Sequence, residues 1–260
     1  MSDHKIKKQQ CHSTSKTTAS ILQSNLPQGM CGILNALEDG STVAVVTLLG
    51  SLCPITKAHT QAFIEARRFF LAKDLDNTTN NDNRTTGLEN FQEVVGFISV
   101  NPDRYVSAKF ERIGEILPLK FEERVELVQL AIADMGHPWI SMEDFKAETW
   151  RILQSCFPHL SFVHYYMNGA DDVVKKQKWR KASKTNRFIT MGRKGDTEKV
   201  AQAAAGEGVN PAYFIMGSDL PDISSTAARD ALFRRDYSAL AEMLHPTVME
   251  RCLDHQSWQR

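Results

Sequence analysis

Two short segments of the chain hold residues of the kind that handle phosphate. The first is GSLCPITKAH, Gly50 to His59, which follows the apolar run VAVVTLL and precedes a helix-like run. Gly50 permits a tight turn and close backbone approach, Pro54 stiffens the turn, and His59 falls at the first turn of the following helix. Exposed N–H groups and the positive end of the helix dipole make that place receptive to an anion. A histidine there can donate to a phosphate oxygen as charge builds on it. The second segment, ISSTAAR, offers the hydroxyls of Ser224, Ser225 and Thr226 at another helix start, with Arg229 about one turn on. Each segment alone also has a plainer reading: a strand-to-helix turn with a surface histidine, or an N-cap with a solvated arginine. Together they imply two helix N-termini converging on one polyphosphate. Neither a Walker G-K-[ST] nor a dinucleotide G-x-G-x-x-G is present.

These segments need strands and helices to position them, and the chain alternates between the two. VAVVTLLG and EVVGFISV are continuous apolar, β-branched runs of the kind covered on both faces. WISME, LSFVHYYMNG, RFITMG and AYFIMG read as further strands, with NGADD and GRKG as turns. Between them HTQAFIEARRFFLAK places Ala62, Phe63, Ala66 and Phe70 at helical spacing, and FEERVELVQLAIADM and KAETWRILQSCF read as helices. TEKVAQAAAG is a helix closed by Gly206, and SSTAARDALFRR and YSALAEMLHPTVMERCLDH close the chain, with Ser224 or Ser225 as an N-cap. The alternation predicts one α/β domain over residues 41–260, a Rossmann-like parallel sheet with helices on both faces and a C-terminal helical segment. Ligands of such sheets bind at the carboxyl ends of the strands, where GSLCPITKAH, ISVNPDRY, NGADD and MGRKG fall. DLDNTTNNDNRTTGLEN reads as a surface loop. Residues 1–40 read as a disordered tail, polar and poor in large apolar side chains, with a turn or two of amphipathic helix in ILQSNLPQGMCGILNALED.

Composition narrows the partners. Thirty-one basic and thirty-one acidic residues cancel, so no global field draws the chain to nucleic acid or to an anionic membrane. KKQKWRK reads as a solvated helix face. No apolar run reaches the length of a spanning helix. The five cysteines, Cys11, Cys31, Cys53, Cys156 and Cys252, are scattered and never in C-x-x-C spacing, which argues against a zinc site or disulfide framework and for a reducing compartment. The N-terminal segment is rich in Ser and Thr but has no apolar core for a secretory signal and no Arg in its first twenty residues. A cytoplasmic or nuclear location is therefore expected ahead of an organelle address. A homo-oligomer is neither required nor excluded.

At this point the chain resembles a known family. GSLCPITKAH is similar to G-S-F-x-P-[IV]-T-x-x-H, and ISSTAAR to I-S-S/A-T-x-x-R, the two motifs of the eukaryotic-type nicotinamide/nicotinate mononucleotide adenylyltransferases within the nucleotidylyltransferase superfamily. Between them VVGFISVNPDRY resembles V-x-G-x-I-S-P-V-x-D-x-Y, and LPLKFEERVELVQLAIADMGHPWISMEDFKAE resembles the family's arginine-bearing helix and following W-[IV]-x-[VM]-D. NGADDVV resembles C-G-A-D-L-L, and TMGRKGD resembles V-x-R-x-G. The similarities occur in the family's order from about Val43 to His255.

The resemblance implies an activity in which the 5′-phosphate of nicotinamide or nicotinate mononucleotide attacks the α-phosphate of ATP, giving NAD or its deamido form and pyrophosphate. ATP is then a substrate and Mg²⁺ the expected divalent cation, with no metal ligand identified. By the same resemblance Gly50 and Ser51 let their backbone approach the phosphates, Thr56 stands where distant relatives have the first His of H-x-G-H, and His59 contacts the α-phosphate. Ser224, Ser225, Thr226 and Arg229 hold the β- and γ-phosphates, with Arg229 placed beside His59 in catalysis. Gly169 and Asp171 bind the ribose and adenosine, Lys57 and Lys109 are phosphate lysines, and Trp139 and Trp179 are the aromatic rings against the pyridine. The chain departs from the family at Leu52 and Cys53, where Phe and Asn are usual, and at Asn168. These departures keep open another phosphate acceptor, CTP in place of ATP, or a nucleotide-binding, chaperone-like homologue without turnover.

Overall fold

The computed structural model describes residues 26–72, 89–115, 119–142 and 147–258. Six strands form one sheet: β1 (Thr42–Gly50), β2 (Glu93–Val100), β3 (Ile140–Met142), β4 (Ser161–Gly169), β5 (Arg187–Gly192) and β6 (Phe214–Asp219). Their order is β3-β2-β1-β4-β5-β6 and every neighbouring pair is parallel. The chain builds outward from β1 to β3, then returns to lay β4 on the other side of β1. The gap above β1 and β4 is therefore the topological switch point, where a doubly wound sheet opens a crevice for ligands.

Ten α-helices precede, connect and follow the strands among the described residues: α1 (Gln28–Asn35), α2 (Lys57–Leu71), α3 (Asp103–Glu111), α4 (Phe121–Met135), α5 (Ala147–Cys156), α6 (Ala170–Lys176), α7 (Thr197–Gly206), α8 (Ser225–Arg234), α9 (Tyr237–Met243) and α10 (Pro246–Asp254). Strand alternation divides the core. Ala44 and Val46 of β1 pack with Phe63 of α2, Val128 of α4, Leu232 of α8 and Val248 of α10 on one face. Val43 and Val45 pack on the other with Met30 and Leu34 of α1 and Leu153 of α5. A smaller cluster on Phe188 and Phe214 gathers Val173 of α6 and Val200 of α7. Gly96 of β2 admits the Phe63 ring, since a β-carbon there would lie 2.6 Å from Phe63 Cδ1. Ala62, Phe63, Ala66 and Phe70 are all buried, as their spacing predicts.

Several expectations need correction. The reading of residues 1–40 as a tail fails for its last part. Met30 and Leu34 of α1 are fully buried, and burial of such side chains stabilises by about 1.5–3 kcal/mol each, so the domain includes residues 26–40. Residues 1–25 and most of the Asn/Thr-rich loop, residues 73–88, lie outside the described residues. NGADD is not a turn, because α6 starts directly after Gly169. Gly206 is the last helical residue of α7, and Gly208 (φ 67) takes the left-handed conformation that ends the segment. Helix α3 was not anticipated; Pro102 is its N-cap.

Candidate active site

β1 ends at Gly50, level with Val100 of β2, and residues 51–56 turn over the sheet edge into α2. Leu52 takes a left-handed backbone (φ 46), which strains a residue with a β-carbon. Its side chain folds back over Gly50, where a β-carbon would lie 2.9 Å from Leu52 Cδ2. Two arginines hold this turn. Arg124 of α4, fully buried, donates from Nη1 to the Ser51 carbonyl (2.7 Å) and from Nη2 to the Asn101 carbonyl (2.9 Å) and Asp103 Oδ1 (2.6 Å). Arg229 of α8 donates from Nη1 to the Cys53 carbonyl (3.2 Å), across 176 residues of sequence. Beside it the Ser225 hydroxyl donates to the Pro54 carbonyl (2.8 Å), and Ser224 caps α8 by accepting from the Ala227 N–H (3.1 Å). The N-termini of α2 and α8 thus meet at one turn, as the two sequence segments imply.

His59 stands at the third position of α2, half-buried. Its Nδ1 accepts from the Thr56 backbone N–H (3.1 Å), with the Thr56 hydroxyl at 2.7 Å. An Nδ1 that accepts leaves the proton of the neutral ring on Nε2, which is then a donor. Burial, reinforced by the positive charges of Lys109 and Arg193, pushes the ring down to about 4, so it is neutral at pH 7.

Lys109 of α3 and Arg193, just past β5, are near enough to His59 to act on its charge, and so is Asp171. Gly169 makes room for that carboxylate: a β-carbon on it would lie 2.7 Å from Asp171 Oδ1. Arg193 reaches Asp171 at 3.8 Å and Asp222 at 3.3 Å, bridging the ends of β4 and β6. Lys176 of α6 is near enough to Tyr105 of α3, and to Arg112 just past it, to feel their charge. On α6, Asp172 pairs with Lys176 (2.8 Å) and Lys178 (2.6 Å). The crevice is therefore rich in donors and positive charge. Its thiol is no nucleophile, since burial pushes Cys53 up to about 11 despite Arg229 and Arg124. Cys53 also turns its side chain into the core (1% exposed), so what it offers the site is its carbonyl, already taken by Arg229. Among the described residues no group of three His, Cys, Asp or Glu is placed to hold a metal ion. No described helix is long and apolar enough to cross a membrane.

The structure gathers Gly50, Ser51, Thr56, His59, Lys109, Gly169, Asp171, Ser224, Ser225, Thr226 and Arg229 around this crevice. It does not bring Lys57, Trp139 or Trp179 there. Lys57 Nζ donates to the Ala241 carbonyl of α9 at 2.6 Å. Trp139 directly precedes Ile140, whose strand partner is Gly96, four positions before Val100 at the strand end. That is about 13 Å below the crevice at the usual rise of a strand. Its ring is buried in the core with Arg67 stacked over it at 5.3 Å. Trp179 is buried too, in the Phe188 cluster, and its Nε1 donates to Glu207 (3.0 Å) past the far end of α7. The apolar surface that stays open at the central strands is Leu49 (61% exposed) and Tyr166 (43%), on neighbouring strands β1 and β4. Sequence reasoning gave no role to Arg124 or Arg193. Arg193 lay within the quoted MGRKG, whereas Arg124, in FEER, looks like one charge of an exposed helix face.

A parallel sheet of this order, with two helix N-termini over its switch point, defines a doubly wound, Rossmann-like α/β fold. Among solved structures, Plasmodium falciparum nicotinic acid mononucleotide adenylyltransferase complexed with NaAD matches with a TM-score of 0.52 and 15% identity, covering 84% of this chain and 97% of that one. The same enzyme complexed with APC matches at 0.51 and 14%, covering 83% and 96%. No protein-family model and no curated protein matches the sequence. At this identity the likeness establishes the shared fold.

Proposed function

We propose that the protein is a nucleotidyltransferase that moves the adenylyl group of ATP onto the phosphate of nicotinamide or nicotinate mononucleotide. The observation that carries this reading is His59: a neutral imidazole, fixed through Nδ1 by Thr56, that offers Nε2–H beside Lys109 and Arg193 at the switch point. An acceptor phosphate oxygen forms a bond to the α-phosphorus as the bond from that phosphorus to the bridging oxygen of pyrophosphate breaks. No covalent enzyme intermediate is needed, which suits a crevice with donors and no activated nucleophile. His59 Nε2–H donates to the α-phosphate as negative charge grows there, and Lys109 and Arg193 offset that charge. The N-termini of α2 and α8, with Ser224, Ser225, Thr226 and Arg229, receive the β- and γ-phosphates. Gly169 and Asp171 are assigned to the ribose by the family resemblance.

Among the described residues no group of three His, Cys, Asp or Glu is placed to hold a metal, which fits a Mg²⁺ that would be held mainly by phosphate oxygens and water. When bound, such an ion would neutralise triphosphate charge. The acceptor base is assigned to the open surface of Leu49 and Tyr166 in place of Trp139 and Trp179. The similarity to a solved nicotinic acid mononucleotide adenylyltransferase supports the choice of acceptor class. The test is incubation with ATP, Mg²⁺ and each mononucleotide, with CTP in a parallel arm. NAD or deamido-NAD should form with equimolar pyrophosphate from ATP. Binding of ATP without product from either mononucleotide would overturn the reading.

A further inference from the structure

Arg229 is committed in this structure to partners of two kinds. Its Nη1 donates to the Cys53 carbonyl and its Nη2 to the Thr226 hydroxyl (3.3 Å), neutral groups of the phosphate turn and of its own helix. The same Nη2 also meets Glu115 Oε2 at 3.0 Å, while the guanidinium lies over the Phe110 ring at 4.6 Å. Glu115 belongs to neither phosphate motif; it follows the C-terminal end of α3. Its side chain is 43% exposed, against 6% for that of Arg229. A carboxylate offers a guanidinium the same geometry of anionic oxygens that a phosphate does. Of the three polar partners of Arg229, Glu115 is the charged one and the one with solvent on its other side.

We infer that Glu115 is a built-in competitor for the triphosphate, holding Arg229 in place in the nucleotide-free protein and giving it up when a phosphate oxygen arrives. The inference rests on the reading that Arg229 receives ATP phosphate. Arg229 cannot shed Cys53 without loosening the turn, nor Thr226 without disturbing the start of α8, so the exchange falls to Glu115. It keeps the charge on Arg229 matched in both states and keeps the guanidinium in its phosphate-ready position over Phe110. The binding cost is a smaller apparent affinity, because the competent state is the fraction in which the pair is open. For a partly exposed pair that fraction lowers affinity about fivefold.

The experiment is calorimetric titration of the full chain and its Glu115→Gln variant with inorganic triphosphate and Mg²⁺. Thermal midpoints are compared first, and Glu115→Ala serves as a second variant without an amide. Both variants should bind triphosphate at least threefold more tightly than the unaltered protein. Equal or weaker binding in the variants, with clear binding in the unaltered protein, overturns the inference and leaves the proposed function standing. No triphosphate binding by any of the three proteins overturns both.

Discussion

Replacing His59 separates the two things its ring does. Nδ1 accepts from the N–H of Thr56, a fully buried residue, and in the proposed reaction Nε2–H donates to the α-phosphate. His59→Ala removes both. Loss of one preorganised donor at the reacting phosphate lowers turnover about 10²–10³-fold, or about 2.7–4 kcal/mol. Stranding the buried Thr56 N–H costs about 1–3 kcal/mol of stability. In a domain of this size that lowers Tm by about 2–4 °C for each kcal/mol. His59→Asn places Oδ1 as many bonds from Cα as Nδ1 was, so the Thr56 N–H regains its acceptor while nothing reaches the position of Nε2. Its Tm should return close to the unaltered value and its turnover should stay low. His59→Gln does the reverse: its amide can extend toward the Nε2 position, and the Thr56 N–H stays unpaired. Tm should then remain low while part of the turnover returns. ATP affinity, measured by calorimetry, should change less than threefold throughout. An Asn variant with unaltered turnover, or an Ala variant that loses ATP affinity and turnover equally, refutes the division of labour.

Arg124→Met leaves the Ser51 and Asn101 carbonyls without their buried donor and should lower both Tm and ATP affinity, while Arg124→Lys, whose single ammonium keeps the charge but cannot span both carbonyls as the guanidinium does, should recover part of each; an Arg124→Met variant that binds ATP normally would contradict the role given to this side chain. Tyr166→Ala should raise the acceptor KM about tenfold with little change in the KM for ATP, whereas Trp139→Phe, a change beneath Arg67, should alter Tm and leave both KM values alone. Stability should fall on acidification. His59 and His164 are both held down to about 4 by burial, against 6.5 when exposed, so the unfolded chain binds more protons between those values. Stability is complete above about pH 6.5 and declines toward pH 4, which a Tm series from pH 7.5 to 4.5 will show, and His59→Asn should flatten it. A Tm that rises on acidification would contradict the burial of both rings.

Much of the fold could be read from the chain because its local and global signals agree. The β-branched runs of β1 and β2, the glycine-led turn after β1 and the Ser224 cap of α8 each state their conformation within a few residues. The convergence of α2 and α8 was legible through the resemblance of two segments and the rule that ligands sit at strand ends. Register was not legible. Trp139 looked like a site residue because it resembles a family tryptophan that stacks on the pyridine ring, yet pairing of β3 beside the middle of β2 sinks it into the core. Lys57 was assigned to the phosphates from its place in the loop, but the packing of α9 over the start of α2 draws it to Ala241. Arg124 was quoted only as the arginine of a family-like helix and given no role: a charge in a charged helix run becomes the centre of a buried bond network only once α4 lies against both turns. Helix α6 is too short to display a period, so NGADD kept the look of a turn.

The most direct test follows the label of ATP. With α-³²P-ATP, Mg²⁺ and nicotinamide or nicotinate mononucleotide, the label should appear in the dinucleotide, and with γ-³²P-ATP it should appear in pyrophosphate. Transfer of the γ-label to the mononucleotide, its release as orthophosphate, or absence of labelled dinucleotide with either acceptor would contradict adenylyl transfer at His59.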